Sequence, residues 1–249
     1  MQEKKLSILS KYKEKLSGAV TIPIEKKNLS EAIILVHGFG QNRSEYGLFD
    51  DLAVILADSG YFVYRFDFSG CGDSEGNFTS MTVSKEISEL SSIYDFVKEK
   101  GHNKINLICH SLGTAIAIAL CPDANSFIFT SSVSCPKKNF IKYFGDGIKL
   151  NGLSKKLRSD GRITAIGKDF WKDLDKFDFP RLIRKINAPI LFIHGKEDNF
   201  SPLSEMESYY ENARSRKDKI IILGAGHDFS PKRKDMYIAV ANWLKKKNP

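Results

Sequence analysis

The sequence predicts an α/β fold, a doubly wound and mostly parallel sheet with a small cap insertion, and three observations lead there. Short apolar runs rich in β-branched and aromatic residues recur along the chain. Segments with apolar residues at helical spacing lie between them, and alternating strands and helices imply parallel strands covered on both faces. A single stretch, residues 137–185, breaks the alternation.

The elements follow in order. Leu16–Ile24 reads as a strand after the polar segment Ser10–Lys15, so an antiparallel hairpin edges the sheet. The buried-strand pattern then appears at Ile33–Val36, Tyr61–Phe66, Ile105–Cys109, Phe127–Thr130, Ile190–His194 and Ile220–Leu223. Helical spacing marks Phe49–Ala57, Val83–Val97 and Met236–Leu244. Between Lys137 and Lys185, Asp160-Gly161 separates Leu153–Arg158 from Arg162–Ile166, which is a hairpin signal. With 249 residues, 42% of them hydrophobic, the chain can bury a full core, and one domain over 1–249 with a cap at 137–185 accounts for it.

Composition excludes several classes. No stretch approaches the roughly 20 apolar residues of a membrane span, and MQEKKLSILSKYKEK lacks the apolar core of a secretory signal, so a cytoplasmic protein is expected. Cys71, Cys109, Cys121 and Cys135 show no CxxC spacing and read as free buried thiols. Gly70-Cys71-Gly72 follows a strand but lacks the third glycine of a dinucleotide loop, since position 75 is Glu, and H-E-x-x-H spacing is absent. No cofactor, no metal, no nucleic acid and no integral membrane contact are expected. The oligomeric state is left open.

The chemistry centres on INLICHSLGTAIA, residues 105–117. A strand running directly into a small-residue helix needs a tight turn, and a serine at its apex has its hydroxyl pushed clear of its neighbours. Gly113 supplies the small residue two after Ser111; Cys109, two before, stands where the full G-x-S-x-G pattern has glycine. The alternative is a serine that only caps the helix.

A serine hydroxyl needs a base, and the base needs an acid to fix its tautomer. Asp198 follows the strand Ile190–His194 and His227 follows Ile220–Leu223 in a Gly-rich loop, at the carboxyl edge where such sheets gather ligand groups. Glu197 competes with Asp198 for the acid, and Asp198 could instead be a turn former. His37 and His194 end strands and read as structural, His110 adjoins the serine but is directed elsewhere, and His102 in a polar turn reads as solvated. The N–H groups of Leu112 and of Phe39, in the loop His37-Gly38-Phe39-Gly40, are the candidate oxyanion donors.

The set HGFG (37–40), RFDFSGCGDSEG (65–76), CHSLG (109–113), HGKED (194–198) and GAGH (224–227) resembles bacterial serine esterases of the α/β-hydrolase fold. Arg65–Glu89, with SMTV (80–83) before a helix, resembles the feruloyl or cinnamoyl esterase branch in particular. The likeness covers Glu31–Asn242 apart from the insertion, and Cys109 departs from the glycine usual in that branch. It implies Ser111 as nucleophile, His227 as base and Asp198 as acid, with a small-molecule ester as substrate. Lysophospholipid, monoacylglycerol, thioester and peptide hydrolysis use the same machinery, and a noncatalytic binding module is the distant alternative.

The insertion carries 14 Lys or Arg against 6 Asp or Glu, the whole of the chain's net charge of +8. It either steers an anionic substrate or is a solvated surface. Phe170 and Trp171 are the candidate substrate contacts there, and packing that holds the insertion down is the other reading.

Overall fold

The computed structural model describes residues 2–25, 30–158 and 161–247. In chain order it contains β1 (Gln2–Leu9), β2 (Lys15–Ile22), β3 (Glu31–Val36), α1 (Leu48–Asp58), β4 (Phe62–Phe66), α2 (Val83–Glu99), β5 (Lys104–His110), α3 (Leu112–Leu120) and β6 (Ser126–Thr130). The insertion follows with α4 (Pro136–Phe144), β7 (Ser154–Leu157), β8 (Ile163–Ile166), α5 (Lys168–Leu174) and α6 (Phe179–Leu182). The chain then returns through β9 (Ile190–Gly195), α7 (Leu203–Asn212), β10 (Lys217–Ile222) and α8 (Arg233–Lys247).

Eight strands form one sheet in the order β1-β2-β4-β3-β5-β6-β9-β10. The β1–β2 and β2–β4 pairs are antiparallel and all others are parallel. This is the α/β-hydrolase arrangement, with the expected hairpin at one edge. The cap hairpin β7–β8 pairs separately and antiparallel, Leu157 opposite Ile163. Asp160 of its turn lies outside the described residues.

Strand periodicity divides the core. On β3, Ile33 and Leu35 pack under α1 and α8, while Ile34 and Val36 face the layer containing α2, α3 and the cap aromatics. Both faces are apolar because helices cover both, as a parallel sheet requires. Four helices escaped the sequence reading: α7, and α4, α5 and α6 of the insertion.

Two details differ from expectation. His102 is buried, with its Nε2 at 2.9 Å from the Tyr64 hydroxyl and its ring 4.9 Å from that of Phe62, so a strand neighbour replaces the expected solvent. All four cysteines are free, but only Cys71 and Cys109 are buried; Cys121 is half-buried and Cys135 exposed.

The approach of α3 to β3 sets the height of the sheet's carboxyl edge. A Cβ on Gly113 would stand 2.7 Å from the carbonyl oxygens of both Val36 and His37. Gly113→Ala is therefore expected to cost about 1–3 kcal/mol of stability through overpacking, seen as a lower urea midpoint at unchanged slope. A midpoint equal to wild type would show that the two elements can separate without loss.

Candidate active site

The turn from β5 into α3 holds Ser111 at φ 53° and ψ −122°. Such a backbone is strained for a non-glycine residue and must be held by its surroundings. Ser111 N–H donates to the Thr130 carbonyl at 3.0 Å, and the Thr114 hydroxyl donates to the Ser111 carbonyl at 2.5 Å. No side-chain capping bond leaves Ser111 for the helix. Its hydroxyl instead donates to His227 Nε2 at 2.9 Å.

His227 Nδ1–H donates in turn to Asp198 Oδ2 at 2.7 Å. Asp198 is fully buried in its side chain, and its Oδ1 accepts the N–H groups of Phe200 (3.0 Å) and Ser201 (2.8 Å). His194, near the end of β9, donates through Nε2 to the Ser201 carbonyl at 2.8 Å, and burial holds its pKa below the usual imidazole range. Glu197 is exposed and makes no side-chain bond to His227 among the described residues. The loop of His227 lies tight on the end of β9, where a Cβ on Gly195 would come within 2.5 Å of the Ala225 and Gly226 carbonyls.

The early loop meets the serine by backbone. A Cβ on Gly38 would stand 3.0 Å from Ser111 Cβ, a tight contact that glycine avoids. Leu112 opens α3, and its N–H has no intrahelical acceptor; Phe39 follows Gly38 in the same loop, and its N–H has no acceptor among the described residues. His37 fixes the loop from below, donating through Nδ1 to the Gly38 carbonyl at 2.8 Å and accepting Phe68 N–H at Nε2 at 3.0 Å.

Glu45 is a site residue that its sequence context gave no reason to single out. Glu45 and Tyr46 have φ of 46° and 56°, Gly47 follows at 82°, and Arg233 Nη1 donates to the Tyr46 carbonyl at 2.9 Å. This turn buries the Glu45 carboxyl, which accepts Gly38 N–H at 2.6 Å. Burial pushes it up to about 8, against the opposing pull of Gly38 N–H and the Arg233 charge.

A cavity of about 380 Å³ opens over Ser111 and His227, with aromatic walls from Phe39, Phe140, Tyr143 and Phe200. Lys156, Leu157 and Arg158 of the cap, with Glu45 and Asp228, complete its rim. Phe170 and Trp171 do not line it, which corrects the expectation of substrate contact. Both are buried in the cap's aromatic packing: Phe170 sits behind Phe39 and Phe140, and Trp171 donates to Ser154 Oγ at 3.1 Å. The motif from Arg65 to Gly76 lies outside the cavity. It wraps Asp67, which is salt-bridged to Arg43 and accepts the N–H groups of Arg43 (2.6 Å) and Asp73 (2.9 Å). Among the described residues no cluster suited to a metal is present, and no helix is long and apolar enough to cross a membrane.

Residues 27–157 match the model of a family described as serine aminopeptidase, S33. The acyl transferase of Photobacterium phosphoreum is 26% identical over 219 residues, 82% of this chain and 69% of that protein. Human protein ABHD12B is 25% identical over 228 residues, and the chain spans only 60% of its length. Among solved structures, Est1E of Butyrivibrio proteoclasticus with ferulic acid bound superposes with a TM-score of 0.82 at 19% identity, covering 97% of this chain and 98% of that one.

The buried Glu45 gives a signed pH prediction. Between its ordinary value of 4.5 and about 8, the folded state keeps a proton that the unfolded chain has released, so this group lowers stability as pH rises through that window. Glu45→Gln keeps an acceptor for Gly38 and does not titrate. Urea unfolding should show the variant gaining on wild type as pH rises from 4.5 to 8. A difference that stays flat over the window would mean the carboxyl is already ionised when folded.

Proposed function

We propose that this chain, which belongs to the serine aminopeptidase, S33 family, cleaves carboxylic esters through an acyl-enzyme on Ser111. The observation that carries the reading is the continuous hydrogen-bonded line from Ser111 Oγ through His227 to the buried Asp198. In the reaction, Ser111 Oγ attacks the ester carbonyl carbon as its proton passes to His227 Nε2, and the tetrahedral oxyanion is met by the N–H groups of Phe39 and Leu112. Collapse expels the alcohol, protonated by His227. Water then loses a proton to His227, attacks the acyl group and restores Ser111. Asp198 holds His227 in the tautomer with a proton on Nδ1 and stabilises its cationic form.

The aromatic walls favour an aryl or arylalkenyl acyl group, and hydroxycinnamate esters are the specific candidates. Est1E, which has the same fold, binds ferulic acid. The family description makes peptide hydrolysis the second reading. An aminopeptidase must hold the charged amino terminus of its substrate with a carboxylate, yet Asp228 on this rim is paired to Arg233 at 2.7 Å and Glu45 is largely neutral at pH 7. The rim favours the ester. The free thiols fit a reducing, cytoplasmic setting.

Ser111→Ala should remain folded and lose ester turnover by about three orders of magnitude or more, measured on a panel of hydroxycinnamate methyl esters, short acyl esters and aminoacyl anilides. Turnover close to wild type in this variant, or anilides cleaved in preference to every ester, would overturn the reading.

Asp198→Asn should lower kcat by about 10⁴, the loss expected when a triad histidine is held in the wrong tautomer. Glu197→Gln, at an exposed site, should change kcat by less than about twofold. Equal effects of the two substitutions would place the acid elsewhere.

A further inference from the structure

Two cap side chains on the cavity rim bear on the substrate's identity. Lys156 and Arg158 are two residues apart at the end of β7, so they project to the same face of the hairpin. Both line the cavity over Ser111. Neither forms an ion pair with a carboxylate among the described residues. By contrast, Lys137 and Lys176 elsewhere in the insertion are each paired to an aspartate.

Arg158 is fixed in place without being neutralised. Its Nε donates to Thr164 Oγ1 at 2.5 Å, Nη2 to the Gly40 carbonyl at 3.2 Å and Nη1 to the Tyr46 hydroxyl at 3.4 Å. All three acceptors are uncharged, and a guanidinium has five N–H groups, so two remain for a ligand. Lys156 Nζ stands 6.0 Å from the centroid of the Tyr143 ring, another wall of the cavity. Each acid at the cavity is otherwise engaged: Asp228 is held by Arg233, Asp198 lies behind His227 and the Glu45 carboxyl accepts Gly38 N–H.

We propose that Arg158 and Lys156 form an anion subsite at the mouth of the Ser111 cavity, which binds a carboxylate at the end of the substrate remote from the scissile ester. The proposal deepens the ester-hydrolase reading and rests on it. The preferred substrate class is then a half-ester of a dicarboxylic acid, or an ester whose leaving group carries a carboxylate. A carboxylate matches the two free donors of a fixed guanidinium as a fork, and a cavity of about 380 Å³ takes a small molecule of this kind.

The test compares 4-nitrophenyl hemiglutarate with its primary-amide isostere, which has the same shape and no charge. Wild type should favour the acid in kcat/KM by about tenfold or more, the effect of one hydrogen bond to a charged group. The ratio should fall in Lys156→Gln and further in Arg158→Gln, and shrink at high salt. As Arg158 also bridges the cap to the Gly40 carbonyl, Lys156→Gln serves as the variant that leaves that bridge alone. In parallel, calorimetry on Ser111→Ala should show the acid binding about tenfold tighter than the amide. This arm needs no turnover, so wild type failing to cleave either ester would remove the hydrolase reading while tighter acid binding upheld the subsite. Equal binding of acid and amide, or a kcat/KM ratio unchanged in both charge variants, would overturn the proposal.

Discussion

The left-handed backbone at Ser111 is the constraint on which the rest of the molecule depends. A non-glycine residue in a sparsely populated conformation costs about 1–3 kcal/mol, and it persists only where neighbours leave no alternative. Those neighbours are β6, α3 and the end of β3. β6 accepts the Ser111 N–H, Thr114 on the first turn of α3 ties down its carbonyl, and Gly113 lets the helix press against the end of β3. The parallel sheet thus acts as the rigid frame that displays the serine at its carboxyl edge.

The remaining parts of the site are held against that serine by polar groups buried in loops. Loops cannot offer a regular ladder of hydrogen bonds, so each one here is closed by a side chain. His37 and Glu45 close the loop of Phe39 from two sides, and Asp198 closes its own loop through the N–H groups of Phe200 and Ser201. Glu205 on α7 does the same for the start of the cap, accepting the N–H groups of Ser134 and Cys135, both at 2.7 Å. Such groups are costly if left without partners, which makes each loop cooperative: it is either fully bonded or badly destabilised.

Legibility in the sequence followed this division. Ser111, Asp198 and His227 could be singled out because apolar runs fix where each strand ends, and the residue just beyond a strand's end has one place to be. The strands and the long helices were readable for the same reason, since periodicity reports burial directly. Loop-closing groups were not readable. Glu45 looks like any charged residue before a helix, and only the turn formed by three consecutive left-handed residues shows that it is buried. The burial of His102 is not legible because a polar turn in sequence can lie beneath a neighbouring strand, here β4 with Tyr64. Phe170 and Trp171 stay ambiguous in sequence because an aromatic pair in an insertion can face either a pocket or its own core, and composition does not distinguish the two.

That last ambiguity bears on how the molecule divides its work. The cap needs its large aromatics inside, because a segment with two short strands and short helices has little other apolar surface with which to hold itself to the sheet. Phe140, Phe144, Phe170 and Trp171 are all buried, and they pack behind Phe39. The cap meets the cavity with Phe140, Tyr143 and Leu157 and with the cationic Lys156 and Arg158 of its hairpin. Outside the insertion, acidic and basic residues balance at 24 each. The sheet therefore displays Ser111 and His227 from a frame of no net charge, and the Lys and Arg side chains lining the entrance come from the cap. A charge change at Lys156 can alter what is admitted without touching the loop of Phe39, whereas one at Arg158 also removes the bond from the cap to the Gly40 carbonyl.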